Sequence, residues 1–200
     1  MLKYDETLVE LAVYNLIKGL GINLKDPDID SIFRENFQGT PKRVARAFRE
    51  LCRGLYERDK IEEILSTTFP CDYDEMVVVT DIEAVGVCPH HLMPVRYKIH
   101  VGYIPSKNGK VLGLSKIPRL VCLLAARPVL QEQLTKDIAD IFEESLEPLG
   151  VMVVVNGGHS CMQCRGVKMS GSEMVTSAIR GKFRDGGESK QEFLALVGKF

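Results

Sequence analysis

An α+β fold, with an antiparallel sheet and helices behind a helical N-terminal region, is predicted by three features of the chain. The first third carries helical apolar spacing and no strand-like run. From about Met76 the chain becomes β-rich. The later strand-like runs bracket two helical runs, which gives the order β-β-α-α-β-β. Strands kept apart from helices in this way build an antiparallel sheet with helices on one side. The expected organisation is a helical region over 1–70 and an α+β domain over 71–200.

Each element has its own local reason. Leu8, Leu11, Ala12, Leu16, Ile17 and Leu20 line one face of a helix over 5–20, which Gly19 and Gly21 end. Lys25-Asp-Pro-Asp-Ile-Asp30 is a polar connection. Thr40-Pro41 starts a second helix, Thr40 as N-cap, and Val44, Ala47, Phe48, Leu51 and Leu55 carry it to about Glu57. The first strand begins at Met76 and the second spans Val95–Ile104, with a turn at Ser106–Lys110 whose corner is Asn108-Gly109. Ser115 caps a helix from Lys116 to about Ala126, Pro118 being harmless in its first turn. A longer helix follows over about Leu130–Leu146. Val151–Val155 and Val175–Phe183 are the remaining strands, and Lys190–Val197 is a closing helix.

The bulk composition excludes several classes of function. Of 200 residues 45% are hydrophobic and 26% charged, with a net charge of −1. Such a balance gives no field for general nucleic-acid binding or a polybasic membrane surface, so an anionic ligand needs a local cation cluster. No apolar run approaches the roughly twenty residues that span a bilayer, and the N-terminus lacks a signal pattern. Six cysteines without a compact framework spacing suit reduced thiols. The expectation is a cytoplasmic protein with no membrane or nucleic-acid partner.

Cys88-Pro89-His90-His91 and His159-Ser160-Cys161 lie some seventy residues apart and could meet at one metal ion. Thiolate and imidazole are ligands Zn²⁺ prefers, and C-x-x-H is a common ligand spacing. Cys88, His91 and Cys161 are the natural trio. Three ligands with an open position make a Lewis acid; four make a structural staple, and Cys164 could supply the fourth. The plain alternative is cysteine as a small buried hydrophobe. His90 and His159 are then candidates to move protons near the metal, or to orient a ligand from behind.

Lys116 and Arg119 fall on the first turn of a helix, where free N–H groups already favour an anion, and Arg165 adds a cation near Cys161. Each taken alone is an ordinary surface charge. Glu132 reads either as an acid stabilising its helix N-terminus or as an acceptor for an amidine-like edge such as that of guanine.

Together the segments Cys88-Pro-His-His-Leu-Met-Pro94, His100-Val-Gly-Tyr-Ile-Pro105, Gly113-Leu-Ser-Lys-x-x-Arg119, Gln131-Glu132-x-Leu-Thr135, His159-Ser-Cys-Met-x-x-Arg-Gly166 and Thr176-Ser-x-x-x-Gly-x-Phe183 resemble the GTP cyclohydrolase I family. The resemblance runs from about 40 to 196 in order and in register. It implies a tunnelling fold, a toroidal homodecamer with active sites between subunits, and Zn²⁺ on Cys88, His91 and Cys161. The implied reaction opens GTP to 7,8-dihydroneopterin triphosphate with release of formate, as the first step of a pterin or folate-type pathway. His90 and His159 would move protons, Ser115 would sit near the ribose and phosphates, Lys116, Arg119 and Arg165 would hold the triphosphate, and Gln131 and Glu132 would read guanine.

The chain departs from the family's pattern at several positions. Pro89 stands where glutamate is usual, Asn156-Gly157-Gly158 where an acidic residue and alanine are common, and Tyr97 where glycine is common. Arg127-Pro-Val-Leu130 varies a more basic run, and Cys164 replaces an apolar residue. Two other readings compete: a non-catalytic ring protein stapled by a closed Cys₃His zinc site, and a tunnelling-fold nitrile reductase with a cysteine nucleophile and a nicotinamide cofactor.

Overall fold

Four antiparallel strands form the centre of the molecule in spatial order β2-β3-β5-β6. The computed structural model describes residues 2–107, 109–184 and 187–198. The chain order is α1 (Glu6–Gly19), α2 (Ser31–Gln38), α3 (Thr40–Leu51), a 3₁₀ turn (Arg53–Leu55), α4 (Lys60–Leu65), β1 (Thr68–Pro70), β2 (Val77–Val87), β3 (Pro94–Ile104), β4 (Lys110–Leu112), α5 (Lys116–Ala125), α6 (Gln131–Leu146), β5 (Gly150–His159), α7 (Ser160–Gln163), β6 (Met174–Gly181) and α8 (Glu188–Val197). The main sheet and its two long helices follow the expected β-β-α-α-β-β order, so the α+β expectation holds.

The differences are local. The N-cap of α3 is Gly39, one residue before Thr40, and the helix stops at Leu51 before the 3₁₀ turn. Ser115 precedes α5 but makes no capping bond. Helices α2 and α4 are unexpected; both are shorter than the windows over which periodicity can be read. Strands β1 and β4 pair in a small second sheet, Thr68 opposite Leu112. Of the expected Asn108-Gly109 corner, Asn108 lies outside the described residues. Strand β5 runs four residues beyond Val155, because pairing with β3 draws Asn156, Gly157, Gly158 and His159 into the ladder.

The two sheet faces bury different things. Val95, Tyr97, Ile99, Val101 and Tyr103 alternate along β3 toward α5 and α6, packing on Leu120, Leu124, Leu134, Ile138 and Phe142. On the other face Ile104, Met152 and Val154 meet Met76, Phe183 and Phe193. Residues Val151–Val155 are therefore covered on both sides, which explains a continuous apolar run instead of an alternating one. Among the described residues no helix is long and apolar enough to cross a membrane.

A bulge between Val79 and Ile82 interrupts the β2–β3 ladder, with Asp81 at φ 53°. His100 Nδ1 accepts the freed Asp81 N–H at 3.2 Å, so this nitrogen must be unprotonated. Burial pushes the His100 pKa below its ordinary value; the Asp81 carboxylate opposes this less strongly and Lys98 adds to it. A histidine with a depressed folded-state pKa contributes stability that is complete above its unfolded value of about 6.5 and is lost as pH falls through the folded value. The thermal midpoint should therefore fall between pH 7 and pH 5, and His100→Gln, which keeps an acceptor that does not titrate, should make that fall shallower. Parallel melting profiles for the two proteins would exclude His100 as the source.

Candidate active site

Both Cys/His segments sit at one end of the sheet because of the β3–β5 register. Val95 at the start of β3 pairs with His159 at the end of β5. The turn before β3 carries Cys88, His90 and His91; the turn after β5 carries Cys161. In the first turn, Cys88 N–H donates to Met93 O and Leu92 N–H donates to Cys88 O, each at 2.8 Å. Leu92 takes φ 54° to close it, a left-handed conformation unfavourable for a branched side chain that the two bonds hold in place. The second turn is the single helical turn α7, Ser160–Gln163.

The result is a compact donor set. One ligand atom each from Cys88, His91 and Cys161 lies within 4.8 Å of the others. Cys88 Sγ is 3.8 Å from Cys161 Sγ and 3.7 Å from His91 Nδ1. Tetrahedral bonds of about 2.3 Å to sulfur and about 2.0 Å to nitrogen place two sulfurs about 3.8 Å apart and sulfur and nitrogen about 3.5 Å apart. Two edges of the donor triangle thus match those of a zinc tetrahedron, and the third is within 4.8 Å. Cys164 is exposed and outside this set among the described residues, which leaves a vertex without a protein ligand.

Around the donors stand the candidate proton carriers. His90 Nδ1 is 3.9 Å from Cys88 Sγ. His159 Nε2 is 3.0 Å from Gln131 Oε1, and its ring stands edge-on to Tyr97. Burial lowers the His159 pKa, with the Glu132 carboxylate opposing it, so Glu132, though exposed, is near enough for its charge to act on the imidazole. Burial also raises the Cys161 thiol, with the contact to Cys88 adding and Arg165 opposing. Tyr97 is pushed up to about 12, again chiefly by burial. Arg165 Nη1 lies 2.9 Å from His91 Nε2, at the edge of the donor set.

Ser115, Lys116 and Arg119 are elsewhere in the chain. They occupy the N-terminal end of α5, where Lys116 N–H donates to Gly113 O and Gly113 N–H to Thr67 O. The other end of α5 meets the Cys88 end of β2: Val87 N–H donates to Arg127 O and Val129 N–H to Val87 O. Ten helical residues at 1.5 Å each keep the two ends about 15 Å apart. One copy of the chain therefore brings together Cys88, His90, His91, Gln131, Glu132, His159, Cys161 and Arg165, but not the cations of α5.

Patterning did not reveal what Gln131 touches. Its side chain is buried and bonded to β5 and β6, and Gly157 lies against it. Gln131 and His159 are 28 residues apart, and the one trace of their contact in the sequence is the unusual Gly157-Gly158 pair.

The donor geometry makes two variants informative. Cys161→Ser should weaken zinc binding by roughly 100-fold or more, since even residues behind a ligand are worth about 10–100-fold. Cys164→Ala should retain one zinc per chain at unchanged affinity. Chelator competition followed by metal analysis measures both, and loss of zinc from Cys164→Ala would mean a four-ligand site.

Comparison with known proteins agrees with this arrangement. The profile of the family described as GTP cyclohydrolase I matches residues 12–198. The chain is 47% identical over 195 residues to a protein named GTP cyclohydrolase 1 from Streptomyces coelicolor, covering 98% of this chain and 92% of that protein. Proteins of the same name from Thermobifida fusca and Mycobacterium tuberculosis are 45% and 44% identical, over 96% and 97% of this chain and 88% and 91% of theirs. Among solved structures, the archaeosine synthase QueF-Like in the apo form covers 53% of this chain and 93% of its own at 22% identity and a TM-score of 0.42, too slight a likeness to bear on chemistry. With a match that spans nearly the whole chain and a Cys-His-Cys donor set at one end of its sheet, this chain belongs to the GTP cyclohydrolase I family.

Proposed function

We propose that this chain catalyses the hydrolytic opening of the imidazole ring of GTP and its rearrangement to 7,8-dihydroneopterin triphosphate, with release of formate and net consumption of one water. The observation that carries the reading is the Cys88, His91, Cys161 triangle with its free vertex, in a chain 47% identical to a relative named for this activity. Those three residues would hold Zn²⁺, which when bound supplies a Lewis acid and lowers the pKa of water.

The remaining work falls to the protein's own groups. Breaking the bonds of C8 to the two ring nitrogens needs protons delivered and withdrawn at the purine, and His159 and His90 flank the donor set to do so. Glu132 accepts from the N1–H and N2–H₂ edge of guanine. Adenine presents no such pair of donors, so a carboxylate in that position discriminates strongly. Arg165 binds the phosphates from the Cys161 side.

Lys116 and Arg119, with Ser115 beside them, complete the triphosphate site from a second copy of the chain. A protein of net charge −1 has no general field to hold so charged a ligand, and in one copy α5 sets these cations about 15 Å from the Cys88 end of β2, which favours closure by a second copy. A homo-oligomer with sites between subunits, a decamer as in the family reading, meets that need. A cytoplasmic location suits the free thiols of the donor set.

Formate release from GTP by the zinc-loaded protein, against a chelator-treated control, tests the reading; no formate from fully metallated protein would overturn it. His159→Ala should retain zinc and lose turnover by roughly 10²–10⁴-fold. Arg165→Ala should raise KM for GTP far more than for guanosine, and equal effects would remove the phosphate role.

A further inference from the structure

The side chain of Gln131 is 1% exposed, and its hydrogen bonds fix which way the amide points. Nε2 donates to Val155 O at 3.0 Å and Met174 O at 2.8 Å, and lies 3.2 Å from Thr176 Oγ1. The Thr135 hydroxyl donates to the backbone oxygen of Gln131 at 2.7 Å. In the 2.6 Å contact between Thr135 and Thr176 the donor is therefore Thr176, which leaves Thr176 only lone pairs to offer Nε2. Three acceptors surround the nitrogen. A flipped amide would set its oxygen against two carbonyl oxygens, so the orientation is determined by the network.

It follows that the group facing His159 is Oε1, which can only accept. The imidazole must carry a proton on Nε2, 3.0 Å away, so in the neutral ring Nδ1 holds the lone pair. An amide does this without adding charge, whereas a carboxylate in its place would also favour the imidazolium.

Gly157 makes the contact possible. A Cβ at this position would lie 2.2 Å from Gln131 Oε1 and 3.1 Å from Tyr97 Cδ1. Tyr97 is the register partner of Gly157 across the β3–β5 ladder, and its ring stands at 85° to that of His159 with centroids 6.4 Å apart. The imidazole is held by Gln131 at Nε2 and bordered by Tyr97.

We propose that Gln131 is a positioning residue of the reaction and not a reader of the base: its Oε1 holds the His159 ring in one orientation as the Nε2–H tautomer, and Gly157 is the gap in β5 that admits the amide. This role rests on the ring-opening reading above. It leaves guanine to Glu132, since the Gln131 side chain is buried and its amide hydrogens are taken up by β5 and β6.

The test uses zinc-loaded protein labelled with ¹⁵N-histidine, with His159 assigned by its loss in His159→Ala. The wild type should show His159 as the Nε2–H tautomer; Gly157→Ala and Gln131→Met should each show a mixture. Gly157→Ala pushes on the Gln131 amide and Gln131→Met leaves Gly157 in place, so the two perturb the contact by different routes, and the wild-type tautomer decides the assignment even if either variant folds poorly. On GTP, kcat should fall about 10–100-fold in both variants with KM within about twofold, the pattern of a mispositioned ring and not of lost binding. An Nδ1–H tautomer in the wild type, an unchanged tautomer in Gly157→Ala, or a raised KM at constant kcat would overturn the assignment. Absence of GTP turnover by the wild type would sink the ring-opening reading instead, while the ¹⁵N shifts would still decide whether Gln131 sets the tautomer.

Discussion

The pairing of β3 with β5 is the constraint on which the candidate site depends. Its register puts Val95 opposite His159, so the turn that enters β3 and the turn that leaves β5 meet at one end of the sheet. A slip of one residue would reverse every side chain of β5 and exchange Val151, Val153 and Val155 with Met152 and Val154 between two differently shaped buried faces. Burial on both faces makes such a slip costly, and the same burial fixes the spacing between Cys88 and Cys161. The position of the donor set is thus a consequence of how the apolar strands pack.

The polar groups of the site rest on that packing too. Gln131 begins α6 with its amide pressed against β5 and β6, where its hydrogens have carbonyl and hydroxyl partners. An unpaired buried amide costs about 1–3 kcal/mol, so the network is retained only while α6 lies flat on the sheet. Among the described residues the Tyr97 hydroxyl, by contrast, is buried without a hydrogen-bond partner. Its ring is held by packing alone, against Gly157 and beside His159. Polar satisfaction on one side of the imidazole and shape on the other leave it few alternative orientations.

Charge is distributed on a longer scale. Arg165 stands at the donor set, while Lys116 and Arg119 stand at the far end of α5. A rigid helix cannot fold back on itself to join them. The proposed triphosphate site would therefore be completed in an assembly, since one copy of the chain carries Arg165 and the α5 cations at opposite ends of that helix.

What the sequence alone determined was local: the main sheet strands, the two long helices, and the trio Cys88, His91 and Cys161. Periodicity is a property of neighbouring residues, and the donors announce themselves by chemistry and by spacing within each segment. The short helices α2 and α4 and the paired β1 and β4 escaped because a few residues carry too little pattern. Strand β5 ran past Val155 because β3 supplied a ladder to Asn156-Gly157-Gly158, which are poor strand formers by themselves. Only the tertiary structure decided which polar atoms meet. It put the buried Gln131 amide against His159, and it separated Ser115, Lys116 and Arg119 from the metal donors of the same chain. Those outcomes depend on distances between segments far apart in sequence, which packing sets and no local pattern encodes.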